Sequence, residues 1–269
     1  MTRFTVAHGR VTRPPLALAT PALLGLAFLV VPLVGLLLRA PWGSFLAELR
    51  APAVWAALRL SLVCATLATG LSLVVGVPLA WLLARAAVPG KALVRALVTV
   101  PLVLPPVVGG VALLLVLGRR GLVGQWLDQW FGISLPFTTS AVVLAETFVA
   151  MPFLVLSVEG ALRAVDRRYE EAAATLGASA WTTFRRVTFP MVAPSVGAGA
   201  VLAWARAIGE FGATITFAGN FPGTTQTMPL AVYIALETNP DAAIVLSLLL
   251  LAVSVAVLVG LRDRWMLAP

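Results

Sequence analysis

The chain has 269 residues, of which 60% are hydrophobic and only 11% charged, and its formal net charge is +8. A mean hydropathy of +0.99 excludes a soluble domain, whose surface has to be covered by polar groups. His8 and Cys64 are the only histidine and cysteine, which excludes an intrachain disulfide, a metal site built from thiolates and imidazoles, and a Cys/His nucleophile pair.

A bilayer core about 30 Å thick takes about 20 helical residues, so long uncharged runs are candidate spans. After the segment 1–15, with Arg3, Arg10 and Arg13, the run 16–38 contains no Asp, Glu, Lys or Arg. It is longer than the apolar part of a secretion signal and lacks a small-residue cleavage site, which predicts a retained helix. Runs 60–84 and 96–118 are equally free of charge, and Pro101, Pro105 and Pro106 fall inside the latter. Each proline interrupts the helical ladder where lipid offers no substitute partner, so the third span is expected to kink at a protein or water face. The fourth span, 140–158, is apolar apart from Glu146, and the fifth, 187–217, apart from Arg206 and Glu210; 242–261 is the sixth. The fold expected is an all-α integral membrane protein with six transmembrane helices, a single domain over 16–262 and a tail at 263–269.

Positive side chains sort the ends of these spans. Thirteen (Arg3, Arg10, Arg13, Arg85, Lys91, Arg95, Arg163, Arg167, Arg168, Arg185, Arg186, Arg262 and Arg264) fall on one side and five (Arg39, Arg50, Arg59, Arg119 and Arg120) on the other. Loops rich in Lys and Arg stay cytoplasmic, which predicts both termini in the cytoplasm. The same distribution argues against nucleic-acid binding, because the excess charge is spread over short loops rather than gathered on a basic face.

The only lysine stands in AAVPGKAL, where position 85 is Arg rather than Gly and position 92 is Ala rather than Ser or Thr, so no phosphate-binding loop exists. No catalytic constellation emerges, and the chain is not expected to be an enzyme. Uphill transport would draw on another subunit or on an ion gradient, as in a proton- or sodium-coupled carrier.

The cytoplasmic loop 163–190 bears on that choice. It holds eight charged side chains: Arg163, Asp166, Arg167, Arg168, Glu170, Glu171, Arg185 and Arg186. Tyr169, Ala173 and Leu176 recur at helical spacing, as do Ala180, Phe184 and Val187. Two short amphipathic helices are therefore expected, the first stopped by Gly177 and the second capped by Ser179. Periodicity alone fits a helix resting on lipid headgroups better than it fits a docking knob.

The spacing adds a resemblance. Glu171, Ala172 and Ala173, then three residues to Gly177, then nine to Val187, Thr188, Phe189 and Pro190, is similar to the EAA loop of permease subunits of binding-protein-dependent ABC importers, with Val and Phe in place of Ile and Leu. PLVLPPVVGGVAL at 101–113, FGISLPFTTSAVVLAETFVAMPFLV at 131–155 and ARAIGEFGATITFAGNFPGTTQTMPLAVYIALE at 205–237 resemble molybdate permease subunits; related sulfate permeases share the GEFGA element. The resemblance runs from about residue 55 to 262. It implies a type I importer permease of the bacterial inner membrane that carries molybdate or tungstate, with sulfate or another oxyanion as the alternative. It implies a homodimer with the path between protomers, ATP-binding subunits that hold the ATP and Mg, an extracytoplasmic molybdate-binding protein, and no cofactor on this chain. Glu170, Glu171, Ala172, Ala173, Gly177, Val187, Phe189 and Pro190 would couple to the ATP-binding subunit.

For the path, Thr214, Thr216, Asn220, Thr224, Thr225 and Gln226 offer neutral donors, which can pass an anion along without trapping it; helix packing and turn chemistry are the alternative role. Pro105 belongs to the same candidate path or gate. Arg206 and Glu210, at i and i+4, are expected to neutralise one another, since an unpaired charge at the bilayer centre costs about 3 kcal/mol. Glu146 is expected to serve packing or gate structure near that pair, because a carboxylate lining an anion path would repel the cargo.

Overall fold

The computed structural model describes residues 16–87 and 89–265. The expectations for segment 1–15, for His8, and for residues 266–269 of the tail lie outside the described residues. Among the described residues every regular element is helical. α1 (Leu16–Leu38) leads through the short α2 (Phe45–Leu49) to α3 (Pro52–Arg85), which begins on a proline, where a missing N–H removes no helical hydrogen bond.

The expected third span is two helices, α4 (Lys91–Val103) and α5 (Pro106–Leu117), bent by 118°. Pro101 is absorbed inside α4, and the break falls at Leu104 and Pro105, whose ψ angles are both 131°. A residue before proline is pushed out of the helical region. The tandem Pro105 and Pro106 impose this twice in succession and withdraw two N–H donors.

After α6 (Gly124–Phe131), α7 (Thr139–Ala164) starts under the Thr138 side chain, which accepts from the Ala141 N–H. α8 (Arg168–Thr175) and α9 (Ala180–Thr183) follow, and a π-helical turn (Phe184–Thr188) joins α9 to α10 (Phe189–Ile208). The expected fifth span, 187–217, is thereby shifted: one continuous helix covers Ala180–Ile208, stops at Gly209, and restarts as α11 (Gly212–Phe217). Gly209 supports a helix poorly. Glu210 then turns its own side chain to the Ala213 N–H at 2.9 Å, offering the new helix start an acceptor. α12 (Met228–Thr238) and α13 (Pro240–Trp265) complete the chain. Five helices are long and apolar enough to cross a membrane, and six spans result when α4 and α5 count as one.

The central packing unit is α3, α7 and α10. Ala65, Ala68 and Leu83 of α3 meet Leu154, Val158 and Leu162 of α7 and Val192, Ala203 and Ile208 of α10. Small residues on these faces let the backbones approach, which replaces the missing hydrophobic drive between helices in lipid. A second cluster joins Cys64, Ala141, Ala145 and Val149 to Ala213 and Phe217 of α11, with Leu113, Leu114 and Leu117 of α5 against it. α1 exposes its apolar side chains along its length, as a helix facing lipid or another chain does.

Candidate coupling loop and path residues

The loop between α7 and α10 is built from local capping. Gly177 has φ +82°; its N–H donates to the Ala174 carbonyl at 2.9 Å, and the Ala178 N–H donates to the Ala173 carbonyl at 3.0 Å. These two bonds form a Schellman stop, which needs a left-handed residue where Gly177 stands. Two residues on, Ser179 Oγ accepts from the Thr182 N–H at 3.2 Å and starts the next helix.

The second helix of the expected pair is not separate, because it runs through the π turn into α10. The Phe189 N–H reaches back to the Phe184 carbonyl, and Pro190 follows in the first turn of α10. A proline ring collides with the carbonyl four residues back in an α-helix, and the extra residue of the π turn lets the chain continue past it.

The coupling candidates divide into two groups. Glu171 and Ala172 are exposed and Ala173 is half-buried, and Tyr169, Leu176 and Trp181 of the same loop also expose large apolar side chains. Phe189 and Pro190 are exposed and Val187 half-buried. Glu170 faces inward instead: its Oε1 receives Arg85 Nε at 3.2 Å and Thr188 Oγ1 at 2.9 Å. Arg85 Nη2 also donates to the Val165 carbonyl at 3.1 Å. Glu170 thus ties both ends of the loop to the end of α3.

A second clasp escaped sequence reasoning. Glu159 Oε1 receives Arg95 Nη2 at 2.6 Å and Arg163 Nη2 at 2.8 Å, fastening α4 to the foot of α7. The i, i+4 spacing of Glu159 and Arg163 was a readable signal, whereas Arg95 lies 64 residues away.

The path candidates lie where the two interrupted spans meet. A Cβ on Gly110 of α5 would stand 2.7 Å from Thr216 Cβ and 2.8 Å from the Ala213 carbonyl oxygen, and one on Gly212 would stand 2.9 Å from Pro106 Cβ. The break beside Pro105 therefore abuts the break at 209–211. Arg206 is in ion-pair contact with Glu210 Oε2, though the guanidinium is not aligned to make a hydrogen bond to that oxygen. Glu210 is 1% exposed. Glu146 of α7 is equally buried, lacks a hydrogen-bond partner on Oε2, and lies within electrostatic reach of Glu210.

The hydroxyl and amide candidates have different fates. Thr216 Oγ1 is committed to the Gly212 carbonyl at 2.8 Å, and Thr225 Oγ1 to the Phe221 N–H at 2.9 Å. Thr214 Oγ1 and Asn220 Oδ1 are buried without a hydrogen-bond partner. Thr224 is exposed, and its carbonyl accepts from Thr139 Oγ1 at 2.9 Å; Gln226 is half-buried. Pro105 is exposed at the start of α5. The arrangement offers no cluster of nucleophile, acid and base. It offers a neutral polar seam beside a paired charge.

Residues 76–268 match the family described as the binding-protein-dependent transport system inner membrane component. The chain belongs to that family. As an inner membrane component of such a system it is a transport permease subunit rather than an enzyme, and a multi-pass membrane protein. It is 49% identical over 244 residues to the molybdenum transport system permease protein of Mycobacterium tuberculosis, covering 91% of this chain and 92% of that one. It is 34% identical over 251 residues to the sulfate transport system permease protein of Escherichia coli, covering 92% of this chain and 90% of that one. A bacterial ABC transporter involved in alginate import has the same fold, with a TM-score of 0.73 at 16% identity, covering 94% of this chain and 95% of the other. The permease architecture of type I ABC importers is thus established for the chain.

Proposed function

We propose that this permease subunit carries molybdate or tungstate inward as a homodimer, with the path between protomers, driven by ATP-binding subunits that dock on loop 163–190. The observation that carries the reading is the degree of likeness: identity to the molybdenum permease exceeds identity to the sulfate permease by a wide margin over nearly equal lengths. Neutral donors beside the α5–α11 crossing are compatible with a tetrahedral oxyanion, because weak sites let an anion leave as well as enter.

Docking is supported by the exposed edge of α8, where Glu171, Ala172 and Leu176 stand clear of the protomer. ATP and Mg belong to the docked subunit, and an extracytoplasmic oxyanion-binding protein delivers the cargo. The abutting breaks at Pro105 and at 209–211, together with Arg206, Glu210, Thr214, Thr216 and Asn220, form the gate. Both termini lie in the cytoplasm, with one membrane domain over 16–262.

The decisive experiment reconstitutes the permease with its ATP-binding subunit and binding protein, and follows labelled molybdate uptake with tungstate and sulfate as competitors. Molybdate-stimulated ATP hydrolysis, with tungstate competing and sulfate not, is expected. Uptake suppressed equally by sulfate would overturn the substrate assignment. Cysteines replacing the exposed Thr175 and Thr224 in a Cys64→Ala background should label from opposite sides of the membrane; labelling of both from one side would overturn the orientation.

A further inference from the structure

A groove of 290 Å³ lies between the end of α3 and the start of the helix that becomes α10, lined by Pro78, Trp81, Ala180, Trp181 and Phe184. Every lining residue is apolar or aromatic. α3 has 34 residues, of which a bilayer core needs only about 20, so Pro78 and Trp81 sit close to where the helix leaves the hydrocarbon. Two tryptophans lining one groove, each partly exposed, fit the membrane interface, where an indole keeps its ring in the apolar layer and its N–H at the headgroups.

The charge beside the groove is of one sign. Arg185 comes one turn after Trp181 and Arg186 follows it; both are exposed, and neither forms an ion pair with any described residue. Arg85, one turn after Trp81 on α3, is already neutralised by Glu170. Of the acidic residues of the loop, Glu170 is held by Arg85, Asp166 lies against Arg168, and Glu171 is exposed on α8. An apolar slot whose helical wall runs on, directly after Phe184, into two exposed arginines without ion-pair partners is complementary to a lipid that carries both an acyl chain and a phosphate.

We propose that this groove holds one acyl chain of an anionic phospholipid of the surrounding membrane, with its phosphate received by Arg185 and Arg186. The groove follows the Gly177 turn in the chain, after the exposed edge of α8 that supports docking of the ATP-binding subunit, and its other wall belongs to α3. A lipid wedged there braces the base of α10 against α3 and makes the loop's position depend on membrane composition. The choice of the cytoplasmic leaflet, though not the binding itself, rests on the orientation proposed above.

Native mass spectrometry of the full-length permease in mild detergent, titrated with phosphatidylglycerol and separately with phosphatidylcholine, tests the site. Preferential retention of phosphatidylglycerol is expected. Arg185→Gln with Arg186→Gln should remove that preference, by about fivefold per arginine, while leaving weak retention of both lipids; Trp181→Ala should lower retention of both. No preference in the wild type, or a preference unchanged in the arginine variant, would overturn the proposal. Stoichiometric displacement of the lipid by added ATP-binding subunit would assign the groove to that protein instead. Sidedness labelling at position 175 in the same variants reports orientation independently, so a failure of one reading is distinguishable from a failure of the other.

Discussion

Replacing Gly177 separates backbone handedness from steric fit at the loop's turn. A Cβ at this position would meet nothing within 4 Å, so a side chain there has room in the isolated subunit. The backbone is the obstacle: φ is +82°, and an L residue held in the left-handed region costs about 1–2 kcal/mol, least for Asn and most for a β-branched residue. Both Schellman bonds, from the Gly177 and Ala178 N–H groups, require that conformation. Gly177→Val is therefore expected to weaken the turn by about 2 kcal/mol, Gly177→Ala by about 1 kcal/mol and Gly177→Asn by less. A 2 kcal/mol loss raises the opened population about thirtyfold. Amide hydrogen exchange at residues 177 and 178 in the subunit alone should accelerate by that factor in the Val variant and only slightly in the Asn variant. Recruitment of the ATP-binding subunit, measured by co-purification, should fall in the same order. Equal exchange rates in the Val and Asn variants would refute the argument from handedness.

Removing Arg206 is expected to harm the protein more than removing Glu210, because the side chain left behind is 1% exposed in the first case and 27% in the second; thermal stability in detergent should show Arg206→Gln as the worst variant and the double variant milder than the sum of the singles. Gly110→Ala places a methyl against the α11 backbone and should cost about 1–3 kcal/mol, read as a lowered melting temperature, whereas Gly110→Ala with an unchanged melting temperature would deny the close crossing. Glu170→Gln strips the nearly buried Arg85 of its counter-charge and should loosen the loop enough for limited proteolysis to detect. Glu171→Gln should leave proteolysis unchanged and weaken only capture of the ATP-binding subunit.

Local features of the chain were legible because their causes are local. Membrane class and the places of α1, α3, α7 and α13 follow from runs of apolar residues, whose transfer into lipid depends on composition alone. The Gly177 stop, the Ser179 cap and the Arg206–Glu210 contact each involve residues no more than five apart, so helical geometry brings them together whatever the rest of the chain does. Hydropathy has no direction, however, and the uncharged run 96–118 reads identically as one rod or as two helices bent by 118°. The proline positions announced an interruption, but only the folded chain placed it at Leu104 and Pro105 and set it against the break at 209–211. The inward turn of Glu170 toward Arg85, 85 residues away, and the clasp of Arg95 on Glu159 were likewise decided by helix packing. So was the division of the path hydroxyls between those spent on nearby backbone groups, such as Thr216, and those left unpartnered, such as Thr214. Those outcomes depend on which surfaces the α3, α7 and α10 core brings within hydrogen-bond reach, a distance that sequence separation does not encode.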